Sequence, residues 1–418
     1  MDSAAEITEW PQQKDGDQEW TPPCVGSSAP RVNVFADTRS CKGEDLVITE
    51  KSAPSGFFWH FFAVLDGHQG VDCAEYVKGR LWPILTERLP ETLPSSWEGE
   101  DAAKFGEAIR VAILKAFDEV DEGWYDEKKL SGTTATVALL ADRFLTVANV
   151  GDSSGMLYTE SQKIEMTKSH RLATSKMEQK RLKSENVSVA PLNVNMNGPA
   201  KRGEEGFGPL RVWPGGLAVS RSIGDADVTP QVVCFPHIKQ IVVPESGARL
   251  VLASDGVWDS LPCSKIHQMF CIKRLHKLPQ YIINSVARVN GGVVLDDTTL
   301  LAVDILPESC RDFKELILKR SKRRYLSCCI MPVLNEDGEG PPQLFAENDS
   351  LYMGSMPVRG GTITVRNPPP PPDYLQLPES MDYTVHGAST AEIFDTSVHS
   401  SGDLNVASAD LEIRRLVK

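Results

Sequence analysis

One stretch limits the folds open to this chain more than any other: Phe61-Phe62-Ala63-Val64-Leu65-Asp66-Gly67-His68-Gln69-Gly70. Phe61 to Leu65 is an unbroken apolar run and reads as a buried strand. It ends directly in Asp66, a charge placed where the strand leaves the core. Gly67 and Gly70 then let the backbone turn sharply and approach a ligand. Ala74, Val77, Leu81 and Leu85 follow at helical spacing. A carboxylate at the end of a buried strand, beside a glycine and a histidine, suits a metal or phosphate site. The plainer alternative is a strand-end turn in which Asp66 caps the helix.

Recurrence separates the two. Phe144 to Val150 runs into Gly151-Asp152, and Arg249 to Ala253 runs into Ser254-Asp255-Gly256. Asp296-Asp297 leads into the apolar run Leu300 to Ile305, and Glu44-Asp45 sits beside Leu46 to Thr49. A single Asp-Gly is an ordinary turn. Several strand-end acids gathered at one sheet edge could not all stay ionised without cations. Ligands that are all oxygen favour Mg2+ or Mn2+ over Zn2+.

The rest of the chain sets the frame. Strands are expected at Arg31 to Ala36, Leu46 to Thr49, Ala135 to Ala141, Phe144 to Val150, Lys239 to Val243, Arg249 to Ala253 and Leu300 to Ile305. Helices are expected at Ala103 to Glu122, Ser169 to Glu185 and Ser264 to Asn290, with a last one at Phe313 to Leu318. Asn186 to Pro214 reads as a long loop or flap. Most strands are neighbours in sequence without an intervening helix. That favours an α+β fold, with antiparallel sheets flanked by helices, over parallel βαβ units.

The polar segment 1–30 reads as a flexible N-terminal arm. Residues 307–330 read as a helix and basic linker carrying Lys319 to Arg324. Residues 331–418 read as a mostly disordered C-terminal tail that includes Pro368 to Pro372, a run suited to a spacer or a protein contact. The adjacent Cys328 and Cys329 after the basic run could carry lipid, although such a run more often marks a solvated helix end or nuclear import.

The net charge of −13 argues against a nucleic-acid binder. Nine cysteines, an odd number without CxxC pairs, fit reduced thiols. No apolar run is long enough for a spanning helix, and the N-terminus lacks a signal-peptide core. A cytoplasmic or nuclear location, or both, is expected, as is a monomer.

Six motifs now stand in order: Val64-Leu-Asp-Gly-His-Gln-Gly70, Ser131-Gly-Thr-Thr-Ala135, Ala148-Asn-Val-Gly-Asp-Ser153, Leu217-Ala-Val-Ser-Arg221 with Ile223-Gly-Asp225, Leu252-Ala-Ser-Asp-Gly256 and Asp296-Asp-Thr-Thr299. The series resembles the metal-dependent protein phosphatase family, the type 2C serine/threonine phosphatases, and is most similar to plant members. The resemblance covers about residues 31–306.

It implies a four-layer sandwich of two antiparallel β-sheets flanked by α-helices. It also implies a site for two Mg2+ or Mn2+ ions, and phosphorylated proteins as substrates. By the same resemblance Asp66 would bridge both ions and the Gly67 carbonyl would touch the first. Asp255 and Asp296 would hold the second, and Asp45 or Glu44 would contribute through water. Asp152 matches a position linked to a third, weaker metal. His68 matches the general acid, Arg39 lies near the phosphate-binding arginine, and Thr134 with Gly224-Asp225 would support the site.

The chain departs from the family pattern at several places. Gln69 stands in the usual glycine turn. Ser154 replaces an arginine, and Ser169 replaces the aspartate before His170. The spacing from Arg39 to Glu44-Asp45 is about one residue longer than usual. Two other readings share the motifs: an inactive family member that binds phosphoproteins, and a hydrolase of small phosphorylated metabolites.

Overall fold

The computed structural model describes residues 29–53 and 56–317 and the backbone of 344–347. Expectations for most of the N-terminal arm, the basic run 319–324, Cys328-Cys329 and Pro368 to Pro372 fall outside those residues.

In chain order the strands are β1 (Arg31–Arg39), β2 (Asp45–Ser52), β3 (Trp59–His68), β4 (Gly132–Thr133), β5 (Ala135–Ala141), β6 (Phe144–Val150), β7 (Ser154–Thr159) and β8 (Lys163–Glu165). They continue as β9 (Ser188–Leu192), β10 (Phe207–Trp213), β11 (Ile223–Gly224), β12 (His237–Val242), β13 (Ala248–Ala253), β14 (Thr298–Leu306) and β15 (Leu344–Glu347). The helices are α1 (Asp72–Thr86), α2 (Gly99–Asp126), α3 (Lys176–Ser184), α4 (Asp255–Trp258), α5 (Cys263–Ile272) and α6 (Leu278–Val289). None of these helices is long and apolar enough to cross a membrane.

The period of two along β3 explains its apolar run. Trp59, Phe61, Ala63 and Leu65 point to one face and pack with Val77, Leu81, Ile109 and Phe117 of α1 and α2. Phe62 and Val64 point the other way and meet Leu157, Leu250, Leu252, Leu301 and Val303 of a second sheet. Both faces are buried, so no polar alternation is left in the sequence. The first sheet holds eight strands: β11-β4-β3-β5-β6-β12-β15 in order, with β2 also on β3. The second runs β1-β14-β13-β7-β8. On its far side Val251, Ala253, Leu300 and Ala302 pack against Ile266, Phe270, Ile282 and Val286 of α5 and α6.

The order of layers is therefore helices, sheet, sheet, helices, with antiparallel strand pairs throughout the two sheets. The expected fold class is borne out.

Three segments differ from the sequence expectation. Asn186 to Pro214 is largely a hairpin, β9 with β10, and not an open loop. The helix expected from Ser169 begins only at Lys176, where the Ser175 hydroxyl accepts a hydrogen bond from the Glu178 N–H. Residues 170–172 are instead held to the extended segment 218–220 by Leu172 N–H to the Ala218 carbonyl (2.9 Å) and Ser220 N–H to the His170 carbonyl (3.0 Å). The Ser264 to Asn290 segment is two helices, parted at Lys273 and Arg274, which take extended conformations.

Packing also continues past Leu306. Arg249 is fully buried in β13, and its guanidinium reaches Asp304 through Nε (2.5 Å) and Nη2 (2.8 Å). Its Nη1 donates to the carbonyls of Phe270 (2.8 Å) and Lys273 (2.7 Å) at the end of α5. Phe313, buried in a short helical turn over 313–317, covers this group with its ring centroid 5.1 Å from the Arg249 guanidinium carbon. Within the tail expected to lack order, β15 pairs with the edge strand β12.

Phe313→Ala should lower stability by about 3–5 kcal/mol, the usual cost of emptying a buried aromatic site. Urea unfolding of the full chain checks this. A chain ending at residue 306 should lose at least as much, and one ending at 317 should keep the Phe313 contribution and lose only that of the β12–β15 pairing.

Candidate active site at the inter-sheet edge

Strand parity aims the acids. In β3 the inter-sheet face carries Phe62 and Val64, so Asp66 continues that face. Asp45 pairs with Asp66 across β2 and β3, two residues before the inter-sheet Val47. On the second sheet, Ser254 and Thr299 extend the inter-sheet rows of Leu250-Leu252 and Leu301-Val303 in the same way. The dry slab between the sheets thus ends in a polar rim containing Asp45, Asp66, Ser254 and Thr299. Asp255 and Asp296 lie one residue and three residues from that rim.

Asp45 is the most constrained of these groups. It is buried, and neither carboxylate oxygen has a hydrogen-bond partner. The nearest hydroxyls are engaged elsewhere: Thr299 donates to Thr38 (3.0 Å) and Ser254 to the Asp297 carbonyl (3.5 Å). Burial pushes the Asp45 carboxyl up to about 6; those two hydroxyls temper the rise, and the charges of Asp297 and Asp255 add to it. A buried carboxylate with only two hydroxyls near it, both turned to other acceptors, is the group a hard cation would satisfy.

The loop that carries Glu44 and Asp45 is held by Asp297. Its carboxylate accepts from the backbone N–H groups of Cys41, Lys42 (2.7 Å), Glu44 (2.5 Å) and Asp45 (3.2 Å). Burial disfavours the charge, but the N–H groups of residues 41–44 hold Asp297 below the usual carboxylate range. Glu44 in turn accepts from Gly70 N–H through Oε1 (2.7 Å), and its carbonyl accepts from Gly67 N–H (3.2 Å).

Two glycines permit these approaches. A Cβ on Gly67 would sit 2.7 Å from the Glu44 carbonyl oxygen, and one on Gly256 would sit 2.2 Å from that of Asp297. Gln69, where a glycine would be at ease, stands at φ 58.

His68 projects from the end of β3 and is part-buried. Its Nε2 lies 2.7 Å from Asp225 Oδ1. Burial by itself would lower its pKa; the Asp225 carboxylate, helped by Asp152 and Glu44, outweighs this and raises it. Asp225 is fully buried, and the Ser222 hydroxyl also donates to it. Thr134 donates its N–H to the Asp66 carbonyl (2.9 Å), and its hydroxyl meets that of Ser153 (3.1 Å).

The remaining acids carry cationic partners from the chain itself. Lys42 Nζ is 2.8 Å from Asp296 Oδ1. Arg171 reaches Asp152, Asp255 and Asp259 at 2.7, 2.6 and 2.7 Å. Among the described residues, no three His, Cys, Asp or Glu side chains already converge as a metal-holding group. Arg39 closes β1 opposite Thr298 and is exposed, and its side chain makes no ion pair among the described residues.

The fold therefore brings Glu44, Asp45, Asp66, Gly67, His68, Asp152, Asp255 and Asp296 to one edge. Arg39 ends β1 beside Thr298 without an ion pair to these acids. Sequence reasoning missed Lys42, Arg171, Asp259 and the clasp made by Asp297. For Asp297 a signal existed, because the acids 296 and 297 are adjacent and opposite parity sends them different ways.

A sequence model described as "Protein phosphatase 2C" matches residues 45–289, more than half of the chain. The chain belongs to the protein phosphatase 2C family. Among its relatives, "Probable protein phosphatase 2C 33" of Oryza sativa subsp. japonica is 33% identical over 289 residues, which is 68% of this chain and 63% of the relative. "Probable protein phosphatase 2C 5" of Arabidopsis thaliana is 34% identical over 274 residues, 64% of this chain and 60% of the relative. The chain thus spans somewhat under two thirds of these relatives. The resemblance to plant members of the phosphatase 2C family is borne out.

A similar fold is seen in the serine-threonine phosphatase 2C from Toxoplasma gondii. Its TM-score is 0.51 and its identity 21%, with 68% of this chain and 97% of that chain covered. A C. elegans sex determining protein has a TM-score of 0.52 at 19% identity, with 72% of this chain and 68% of that chain covered.

Asp297→Ala should release the 41–45 loop and lower stability by about 2–4 kcal/mol, because several charge-assisted hydrogen bonds are lost together. Urea unfolding reads the loss. Amide hydrogen exchange should quicken at residues 41, 42, 44 and 45 before it quickens in β3.

Proposed function

We propose that this chain is a metal-dependent serine/threonine protein phosphatase. The observation that carries the reading is the buried, unpartnered Asp45 carboxylate, paired across β2 and β3 with Asp66 at the edge where His68, Asp255 and Asp296 also end. The donor set is all oxygen, as Mg2+ or Mn2+ requires. Asp66, Asp45, Asp255, Asp296, the Gly67 carbonyl and Glu44 would hold two such ions. Bound there, two divalent ions acidify water and offset the charge of a phosphoryl group.

The chain's own groups supply the rest. Asp225 holds His68 by Nε2 and favours its protonated form, so that an N–H is available to a departing serine or threonine alkoxide. A Cβ on Gly70 would meet nothing within 4 Å, so the turn after His68 stays open on that side to a phosphorylated side chain. Phosphoproteins are the substrate class this reading names, in the cytoplasm or nucleus.

One observation favours a second reading, an inactive member that binds phosphoproteins. Lys42 and Arg171 already neutralise Asp296, Asp152 and Asp255. Hydrolysis of para-nitrophenyl phosphate and of a phosphothreonine peptide, with Mn2+, Mg2+ or EDTA, separates the two. Metal-dependent release of phosphate from the peptide is expected. No turnover with any metal would reject the enzyme reading.

Two variants refine the test. Asp255→Asn should weaken metal binding by about 10–100-fold, and activity should fall with it. His68→Ala should slow the phosphothreonine peptide by about 10²–10⁴-fold, the usual size of general acid catalysis. It should affect para-nitrophenyl phosphate much less, since nitrophenolate departs without a proton. Equal losses on both substrates would reduce His68 to a support for the turn.

A further inference from the structure

Arg171 has no part in the reaction outlined above, yet it makes more ion pairs than any other residue at this edge. It lies in the turn between β8 and α3, where the backbone is pinned. Its N–H donates to Ser169 Oγ (3.3 Å), its carbonyl accepts from the N–H groups of Thr174 (3.1 Å) and Ser175 (2.9 Å), and it bridges to Val219. From that anchor the guanidinium sends three N–H groups to three different carboxylates. Nε donates to Asp152 Oδ2 (2.7 Å), Nη1 to Asp259 Oδ2 (2.7 Å) and Nη2 to Asp255 Oδ2 (2.6 Å). These are charge-assisted distances, and the rigid fork suits several carboxylates at once.

The pocket around it is largely shielded. Side-chain exposures are 24% for Arg171, 10% for Asp152 and 15% for Asp255, against 50% for Asp259. Arg171 is the cation that faces both Asp152 and Asp255 in this pocket. Three carboxylates this close need a positive charge between them. By the family resemblance Asp152 matches a position linked to a weak metal, and Ser169 stands where the family has a further acid in the same turn.

We infer that Arg171 is a positioning residue that takes the place of a metal ion at the Asp152-Asp255-Asp259 corner, and that it competes for Asp255 with any ion held by Asp66, Asp45 and Asp296. This rests on the proposed reading only in the role it gives Asp255. Two consequences follow for the chain. The corner takes no ion of its own while Arg171 is present. The metal-free protein keeps these acids neutralised without help from solvent cations.

The test compares full-length wild type with Arg171→Gln. Manganese content after equilibrium dialysis, calorimetric titration with Mn2+, and melting in EDTA and in Mn2+ are measured. The variant should take up one further equivalent of manganese and bind the ion at Asp255 at least about tenfold more tightly. In EDTA it should melt several degrees below wild type, and Mn2+ should restore it, so that its metal-induced shift exceeds that of wild type.

Asp259→Asn tests the same point at an exposed position that should not disturb folding. It should keep the wild-type manganese content, with equal or tighter affinity. Loss of an equivalent there would make Asp259 a ligand and overturn the inference. So would equal manganese content and equal melting in EDTA for wild type and Arg171→Gln. If neither chain takes up manganese, the metal reading falls, and the melting comparison in EDTA still decides whether Arg171 is the counter-ion.

Discussion

The pairing of Asp45 with Asp66 across β2 and β3 is the contact on which the site depends. It is a consequence of register. Both residues end inter-sheet rows whose inner members, Val47, Phe62 and Val64, lie in a slab of Leu, Val and Ile from both sheets. Slipping β2 by one residue would send Asp45 toward the helices and bring Leu46 to the rim. The apolar slab thus fixes where the charges emerge, and burial there removes the water that would otherwise solvate Asp45. The same slab resists adjustment, since native interiors are close-packed. Strain at the edge therefore falls on the loops, and the left-handed Gln69 stands in one of them.

An edge with so many carboxylates has to compensate them, and three means are visible. Asp297 and Glu44 use backbone N–H groups, which ties the compensation to local chain folding. Asp152, Asp255 and Asp296 use the side-chain cations Arg171 and Lys42. Asp45 uses neither. This graded arrangement separates acids that build the loop from acids that can change partner. An N–H clasp must be broken before its carboxylate can turn away, so Asp297 stays with the loop, whereas the acids paired with side-chain cations can exchange that partner for an added ion.

Much of this was legible in the sequence, and the physical reason differs from element to element. β3, β5 and β6 are apolar on both faces because each is covered by helices on one side and a sheet on the other, so their runs stand out. α2 shows a clean stripe because only one of its faces is covered. The acids could be read because each follows such a run. Arg171 could not be read, since its partners lie 19, 84 and 88 residues away and no local pattern announces them. Lys42 was hidden in the same way by the long path to Asp296. The β9–β10 hairpin was masked by its Gly, Pro and Asn content, which outweighs strand propensity until the small core of Leu172, Leu182, Val212 and Val232 is assembled. The burial of Phe313 over Arg249 is not legible in sequence, because a single buried aromatic has no period.

What positions Arg171 is itself an ion pair. Glu178 on α3 is buried and accepts from Arg221 Nη2 (2.7 Å), the Ser220 hydroxyl (2.7 Å) and Arg181 Nη2 (2.9 Å). Burial would raise the Glu178 carboxyl, but Arg221 and Arg181 hold it well below the usual carboxylate range. Ser220 is also the residue whose N–H and hydroxyl both reach the His170 carbonyl, directly before Arg171. The chain of contacts from Glu178 through Ser220 to His170 therefore fixes the backbone from which the guanidinium extends. A carboxyl held low in this way stabilises the fold above its unfolded pKa, and that contribution is lost as pH falls through the lowered folded value. The cation at the acidic corner is thus anchored by a second, wholly buried charge pair that solvent ions do not screen, so the root of the β9–β10 hairpin and the acids at the rim share one electrostatic framework.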